Sequence, residues 1–319
     1  MTTARALAWL FCLLPVACTP PDRHRPLAVW LSAGASAGQT TYPRAICYNS
    51  SDNTFIVVDR LAYVTRLSVD GVFLNRWQMP DHAAGKPVGV STAPVTHAHA
   101  GLIFVADTHY HRVVVFRPDG SEAARFGVRG TGPGQFIFPT DVAFDHSGHI
   151  YISEYGDNDR IQVFQLPADL AQPWIFVRSF GSPGQGPSQF SRPQSIAIAG
   201  DELFVADAAN HRISVFDLTG AHKRSLGTVG TGPGQLRFPY GLEMHASGNL
   251  LITEFGNNRV QLLHPYTGSS LATWGTGGRL PGELAYPFAS TSTPDGTIAT
   301  ADSGNNRIQV FKFSPTVLP

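Results

Sequence analysis

The sequence predicts an all-β fold, a six-bladed β-propeller of four-stranded blades, and three observations support this prediction. One motif recurs six times: a short apolar strand, an acidic residue, several polar residues, an arginine and a second apolar strand. The arginines of the six copies are 46 to 52 residues apart, a period typical of propeller blades. The 319-residue chain also holds 32 Gly and 24 Pro, which fits many short strands joined by tight turns. The six arginines are Arg66, Arg112, Arg160, Arg212, Arg259 and Arg307.

The third copy displays the predicted blade most clearly. Residues 140–144, 149–153, 160–164 and 175–180 form four runs that are rich in β-branched and aromatic residues and are bounded by turn residues. Many of these runs are apolar on both faces, which indicates strands that are packed between neighbouring sheets. Stacked blades provide that environment.

The two ends of the chain predict how the ring closes. The last copy, residues 287–313, has only three strands, whereas residues 27–32 form an orphan strand that precedes a Gly-rich stretch and Pro43. We expect this N-terminal strand to complete the sixth blade, so that no sheet edge stays open. The predicted organisation is a signal peptide at 1–17, a linker at 18–26 and one propeller at 27–319.

The N-terminus has the features of a secretory signal. Residues 6–17 form an apolar run that is too short to span a bilayer as a helix. The run ends Leu14-Pro15-Val16-Ala17-Cys18, which resembles a bacterial lipoprotein cleavage box, although Pro15 departs from the aliphatic residue of that pattern. We expect an exported protein anchored to the cell-envelope membrane through a lipid on Cys18. Without that lipid it would be periplasmic or secreted.

Composition argues against nucleic-acid binding. Lys and Arg together number 23, as do Asp and Glu, and only three residues are Lys, so no excess of basic charge marks a nucleic-acid-binding surface.

Cleavage before Cys18 would leave Cys18 and Cys47 as the two cysteines. Cys47 lies in a predicted inner strand, where a small buried apolar residue is expected.

The repeats resemble a known family. The pattern V-A-D-x-x-N-x-R-I-x-V-F, preceded by G-x-G-x-G-x-F-x-x-P, is similar to the NHL repeat, with close matches at residues 205–216 and 302–311. The resemblance extends over roughly residues 27–313. It implies a propeller like those of bacterial exported NHL-repeat proteins. It leaves the function open, because NHL propellers include scaffolds, ligand binders and a lyase.

The most conspicuous repeated features are expected to be structural. An acid and an arginine that recur in every copy are best explained as partners across the loop between strands two and three, since an active site needs one such pair. The glycine-rich stretches at 130–136 and 230–236 lack the Lys-Ser/Thr pair and the helix of a phosphate-binding loop, and we interpret them as connectors between blades.

Two His-x-His pairs suggest a metal site. His97 and His99 precede the second strand of blade two, and His109 and His111 follow it. Because the strand between them spans the blade, the two pairs should lie on opposite faces and cannot form one four-ligand site. We therefore predict no metal centre and no cofactor.

The residue that follows the proline at the start of each inner strand should project towards the central mouth of the ring. In blade order this candidate ring consists of Arg44, Val88, Thr140, Gln194, Tyr240 and Phe288. We expect Tyr240 and Arg44, taken as exposed, to dominate the binding of a protein, peptide or small-molecule ligand, because Tyr and Arg often dominate interfaces. The alternative is that these side chains only line a solvated channel.

The sequence therefore favours a non-catalytic binding or scaffolding module at the cell envelope, acting as a monomer. The alternative is a propeller enzyme, such as a lyase, lactonase or hydrolase, with Asp141, Glu154 or Glu243 as acids at the mouth. The peptidyl-hydroxyglycine amidating lyases are similar in repeat and blade count, and the resemblance implies zinc histidines directly after the same prolines. This chain has none there, which disfavours the zinc-dependent reaction. RNA binding, known for some NHL propellers, is disfavoured by the neutral charge.

Overall fold

The computed structural model describes residues 25–83 and 85–313, and the prediction of a six-bladed propeller is confirmed. The predicted signal peptide and Cys18 lie outside these residues. Six four-stranded antiparallel sheets follow one another along the chain. Between blades, the backbone crosses from the outer strand of one sheet to the inner strand of the next.

Each blade contributes an inner, a second, a third and an outer strand, in that order from the centre of the ring. From blade one to blade six, the inner strands are Pro43–Asn49, Gly89–Thr92, Phe138–Phe144, Pro193–Ala199, Pro239–Met244 and Ser290–Ser292. The second strands are Thr54–Asp59, Ile103–Asp107, His149–Tyr155, Glu202–Asp207, Leu250–Glu254 and Thr297–Asp302. The third strands are Tyr63–Ser68, Arg112–Phe116, Arg160–Gln165, Arg212–Asp217, Arg259–Leu263 and Arg307–Lys312. The outer strands are Phe73–Gln78, Glu122–Phe126, Ile175–Phe180, His222–Leu226, Ser270–Trp274 and, for blade six, Ala28–Trp30.

The N-terminal strand closes the ring as predicted. Ala28–Trp30 pairs antiparallel with Arg307–Lys312, with Trp30 opposite Ile308. Trp30 also packs against Phe55 of blade one, with 5.3 Å between the ring centroids. The sixth sheet is therefore built from both ends of the chain, which removes the open strand edge that three strands would leave.

The glycine-rich connectors form short ladders, as their interpretation as blade-to-blade connectors predicts. Their two-residue parallel strands are Ser32–Ala33 with Gln39–Thr40, Val128–Arg129 with Gln135–Phe136, Thr228–Val229 with Gln235–Leu236, and Thr276–Gly277 with Glu283–Leu284. In the described part of the chain, three single 3₁₀ turns follow second strands, at Thr108–Tyr110, Ala208–Asn210 and Ser303–Asn305. Within the described residues, no helix is long and apolar enough to cross a membrane.

The core lies between the blades. Second and third strands are apolar on both faces, so that Ile56 of blade one and Val105 of blade two belong to a single buried cluster. Similar clusters fill the other blade interfaces. Burial at roughly 25 cal/mol per Å² of apolar surface makes these contacts the main favourable contribution to the stability of the ring.

The antiparallel topology separates two faces of the disc. The mouth face carries the blade connectors and the loops between strands two and three, at residues 60–62, 108–111, 156–159, 208–211, 255–258 and 303–306. The opposite face, the hairpin face, carries the turns between strands one and two and between strands three and four. The connectors and the loops between strands two and three therefore surround the same opening of the central channel.

Candidate functional site

A central cavity of about 380 Å³ runs between the six inner strands. Five members of the predicted ring line it: Arg44, Val88, Gln194, Tyr240 and Phe288. The volume lies within the range of small-molecule sites, 300 to 1,000 Å³. The sequence therefore identified most of the side chains that surround the mouth.

Thr140 is the exception, and its placement in the ring is wrong. Its side chain is fully buried, with Oγ1 2.7 Å from Ser153 Oγ and 2.7 Å from the carbonyl oxygen of Pro193 in the next blade. A threonine can satisfy its hydroxyl by bridging two blades, and this contact turns Thr140 away from the mouth. Thr140 joins blades three and four and cannot contact a ligand.

Tyr240 and Phe288 are much less exposed than expected. Each retains 7% of its accessible surface, and their ring centroids are 5.0 Å apart. The ring of Phe255, on the loop of blade five, stacks on Tyr240 at 4.6 Å. These aromatic rings form a packed floor, so an alanine at Tyr240 would reduce stability as well as any binding. The expectation that Tyr240 is an exposed residue is wrong.

Two guanidinium groups rest on this aromatic floor. Arg44 lies 5.8 Å from the ring centroid of Tyr42 and 5.5 Å from that of Phe288. Arg192 lies 5.0 Å from the centroids of both Tyr155 and Tyr240. Cations placed over aromatic faces at these distances are attracted by the negative face of the ring, which holds both side chains at the mouth.

Arg192 does not belong to the ring predicted from the sequence, because it precedes its proline. Four such residues adopt a left-handed backbone conformation, which is costly for a side chain larger than glycine, by about 1–2 kcal/mol each. They are Tyr42 (φ 52°), Arg192 (φ 61°), Phe238 (φ 47°) and Tyr286 (φ 49°). This conformation brings their side chains to the mouth face, and strain of this kind is frequent at functional sites.

The strained residues are held by the loop of the preceding blade. In each case a polar side chain accepts a hydrogen bond from the backbone N–H of the residue before the proline. The acceptors are Asn306 for Tyr42 (2.9 Å), Asp159 for Arg192 (2.5 Å), His211 for Phe238 (3.1 Å) and Asn258 for Tyr286 (2.8 Å). Each acceptor stands immediately before a repeat arginine. That recurring polar position was the sequence signal that could have revealed the contact.

The acid–arginine pairs are structural in five blades, as predicted. Arginine Nε lies 2.5 to 2.9 Å from the carboxylate in blades two to six. Glu254 illustrates the arrangement, because it also accepts a 3.0 Å hydrogen bond from the backbone N–H of Arg237. Its partner Arg259 donates hydrogen bonds to the carbonyl oxygens of Gly232 and Gln235. The side chain of Glu154 is fully buried and paired with Arg160, so this candidate acid does not face the mouth. Burial also raises its pKa.

Blade one departs from the pattern, and the assignment of Arg66 to the repeat is wrong. Its third strand begins with Tyr63 where the others begin with arginine. Arg76 of the outer strand is the partner of the blade-one acid instead, with its Nη2 3.8 Å from Asp59. Its guanidinium lies 3.3 Å from the ring centroid of Tyr63. Arg66 lies farther along the strand and pairs with Asp52 at 2.7 Å.

The histidine pairs lie on opposite faces, as predicted, and His97, His99 and His111 have hydrogen-bond partners among the described residues. On the hairpin face, His97 Nδ1 accepts from the backbone N–H of His99 at 3.1 Å, and His99 Nε2 lies 2.8 Å from the carbonyl oxygen of Pro167. On the mouth face, His111 Nδ1 contacts the carbonyl oxygen of Ile137. Across the part of the chain that the structure describes, no group of three or more His, Cys, Asp or Glu residues is arranged to hold a metal ion.

Two of the candidate acids do line the cavity. Asp141 accepts hydrogen bonds from Ser195 Oγ (2.7 Å) and from the backbone N–H of Ile196 (3.0 Å) in blade four. Glu243 accepts from the backbone N–H and the hydroxyl of Ser292 in blade six at 2.7 and 3.0 Å. Burial raises the pKa of Asp141 to about 6 and that of Glu243 to about 7. Each carboxyl therefore joins its blade to the next one.

Cys47 lies beside these acids on the inner strand of blade one and is 8% exposed. Burial raises the pKa of its thiol well above the ordinary value, so it stays protonated near neutral pH. The expectation of a buried, unreactive cysteine agrees with this position.

Sequence comparison identifies the repeat. A family model described as "NHL repeat" matches residues 190–216, which include the inner and second strands of blade four and all but the last residue of its third strand. The chain contains an NHL repeat. Together with the six blades, this match confirms the resemblance to NHL-repeat propellers.

Relatives with curated names align with about half of this chain. NHL repeat-containing protein 3 of Mus musculus is 29% identical over 173 residues, which are 50% of this chain and 46% of the mouse protein. Peptidyl-glycine alpha-amidating monooxygenase B of Xenopus laevis is 26% identical over 163 residues, 49% of this chain and 18% of the frog protein. The chain thus spans less than half the length of either relative.

A solved structure has a similar fold. A structure titled "Streptogramin B lyase structure" aligns with a TM-score of 0.60 and covers 89% of this chain and 96% of its own. At 15% sequence identity this likeness shows the fold alone.

Proposed function

We propose that this NHL propeller is a non-catalytic binding or scaffolding module whose partner docks on the mouth face. One observation supports the proposal above all others: Arg44, Tyr240 and Phe288 line a central cavity, and two strained residues that neighbouring blades hold in place, Tyr42 and Arg192, pack against them. Backbone strain costs stability, and it persists where the surrounding structure stabilises it strongly. Tyr and Arg held on rigid elements lose little entropy when they bind.

The chemistry of the inner strands favours binding over catalysis. No histidine follows any of the six prolines of the inner strands, so the zinc ligands implied by the amidating lyases have no counterparts. Asp141 and Glu243 are engaged by donors of the adjacent blades. These contacts explain both carboxyls without a reaction.

A catalytic alternative remains, and one observation favours it. Asp141 and Glu243 face the same cavity with pKa values raised to about 6 and about 7, a range suited to proton transfer near neutral pH. A lyase, lactonase or hydrolase could use one carboxyl as acid and the other as base. Turnover of a lactone or ester panel by the wild type, lost in both Asp141→Asn and Glu243→Gln, would support this alternative over the binding function.

We place the module at the cell envelope. The apolar N-terminal run and the box that ends at Cys18 support export and lipid attachment, and a propeller anchored by its N-terminus can present its mouth face to partners outside the membrane. The partner would be a protein, a peptide or a small molecule. No further subunit is invoked, because one chain closes the ring.

Affinity capture from the envelope fraction tests the mouth as the docking site. Tyr286 is the best position to change, because it is 54% exposed and its one ring contact among the described residues is with Phe255, at 5.2 Å. Tyr286→Ala should lose most of the captured partner and keep its melting temperature. The matched control is Tyr266→Ala, a 67% exposed tyrosine in a turn of the hairpin face. Equal capture by wild type and Tyr286→Ala would contradict the proposed site.

A further inference from the structure

The mouth holds positive charge that no ion pair of the described residues neutralises. Among the ion pairs of the described residues, none involves Arg44, Arg60 or Arg192, whereas the repeat arginines of blades two to six are all paired. The pKa of Arg44 is lowered by burial and by repulsion from the charges of Arg60 and Arg192. A group of cations that repel one another is stabilised when an anion binds between them.

The two central guanidinium groups are also pre-positioned. The Arg192 guanidinium lies 5.0 Å from the ring centroids of both Tyr155 and Tyr240, and its Nε donates to Gln194 Oε1 at 3.1 Å. The Nε of Arg44 is buried and has no hydrogen-bond partner in the described part of the chain. The terminal nitrogens of both residues make no hydrogen bond to other described residues. Arginine presents these nitrogens in a planar fork that matches carboxylate and phosphate oxygens.

An apolar surface adjoins the charged one. Tyr42, Tyr240 and Phe288 form contiguous ring contacts of 5.0 and 5.9 Å directly beneath the two guanidinium groups. A ligand whose anionic group reaches the arginines would place its remaining atoms against these rings. The cavity of about 380 Å³ limits the bound part to a small molecule or a terminal group.

We propose that the mouth binds an organic anion, a carboxylate or phosphate attached to an aromatic or apolar body, with the anionic group held by Arg44 and Arg192. This inference rests on the proposed binding function and specifies its ligand class. Arg60 adds long-range attraction from the exposed rim. Gln194 orients Arg192 and acts as a positioning residue.

Isothermal titration calorimetry with four probes tests the ligand class. Naphthalene-2-carboxylate and 2-naphthyl phosphate carry the anion and the aromatic body, naphthalene-2-carboxamide carries only the body, and inorganic phosphate carries only the charge. We expect one naphthyl anion to bind at least about tenfold more tightly than the carboxamide and than inorganic phosphate. The stronger of the two anions tells carboxylate ligands from phosphate ligands. Affinity should fall as salt rises, because partly exposed charges are screened.

Arg44→Gln and Arg192→Gln should each weaken binding of the preferred anion by about tenfold or more, with binding of the carboxamide unchanged. Arg129→Gln removes an equal charge from an exposed site in the connector after blade two and should have little effect. Melting curves show whether each variant is folded. Equal affinity for the anion and the carboxamide, or no binding of any probe at millimolar concentration, would overturn the ligand class. Neither result would affect capture through Tyr286, which tests the docking site separately.

Discussion

The side-chain oxygen of Asn306 accepts a 2.9 Å hydrogen bond from the backbone N–H of Tyr42, across 264 positions of the sequence. This contact joins the loop of blade six to the residue that opens blade one. It also stabilises the left-handed backbone of Tyr42 and thereby positions an aromatic ring beside Arg44. Equivalent hydrogen bonds at three other blade junctions show that the same side-chain-to-backbone contact positions mouth residues around the ring.

Asn306→Ala should lower the free energy of unfolding by about 1–3 kcal/mol, because it leaves a constrained N–H without its partner. Denaturant unfolding measures the change. Asn249→Ala, which removes a turn asparagine whose side chain donates to Ser247 Oγ at 2.9 Å, is the control and should cost less than about 0.5 kcal/mol. Similar losses in both variants would show that the junction contact contributes nothing specific.

Trp30→Ala should destabilise the ring by about 3–5 kcal/mol, because the closing strand loses its one large buried side chain. Trp30 is 9% exposed and fills the space against Phe55 and Gly71, where a Cβ on Gly71 would lie 2.3 Å from the Trp30 ring. Thermal unfolding measures the effect, with Val29→Ala on the exposed side of the same strand as the control. If the Trp30 variant melts like wild type, the N-terminal strand does not stabilise the ring.

Arg259→Ala should cost about 3–5 kcal/mol, because it leaves the buried carboxylate of Glu254 without its counterion. It also removes the donor to the carbonyl oxygens of the connector. Arg125→Ala provides the contrast. The Arg125 side chain is 47% exposed, so its ion pair with Glu122 should contribute less than about 1 kcal/mol to the free energy of unfolding. Chemical unfolding of both variants compares the two pairs directly, and equal costs would contradict a structural role for the repeat pair.

Glu243→Gln should reduce the dependence of stability on pH between about pH 5 and 7. The folded-state pKa of Glu243, about 7, lies above the ordinary glutamate value of 4.5, so in this interval the folded protein binds more protons than the unfolded chain. The contribution of Glu243 to stability therefore falls as pH rises through the interval, whereas glutamine does not titrate. Denaturation midpoints from pH 5 to 8 measure the slope. Asp141, with a pKa of about 6, adds a slope of the same sign in both proteins. An unchanged slope would show that Glu243 is not the titrating group.

Cys18→Ser should move the protein from the membrane fraction to the soluble fraction, because the lipids on that cysteine would be its anchor. Immunoblotting of fractionated cells measures the distribution, and mass spectrometry of the mature N-terminus detects the lipid. Cys47→Ser is the control, since Cys47 is buried in the propeller. A wild-type protein that is soluble and begins after Cys18 would rule out the lipoprotein prediction.

The sequence alone determined the blade count, the strand order, the closing strand and the structural role of the acid–arginine pairs. These features depend on local patterns that repeat at a fixed period, such as the alternation of apolar runs and turns around Glu154 and Arg160. Because the pattern recurs in several copies, one irregular copy does not change the predicted fold. Blade one therefore did not disturb the prediction of the fold, although Tyr63 replaces the arginine there.

Only the tertiary structure decided which side chains reach the mouth. Thr140 and Tyr240 occupy the same position of the repeat, yet one bridges to Pro193 of the next blade and the other packs on Phe255. Arg192 reaches the mouth because Asp159, 33 positions earlier, holds its backbone N–H in a left-handed conformation. Side-chain position at these sites depends on hydrogen bonds and ring contacts between residues that are distant in sequence, and these residues come together only when the blades fold and the ring is assembled.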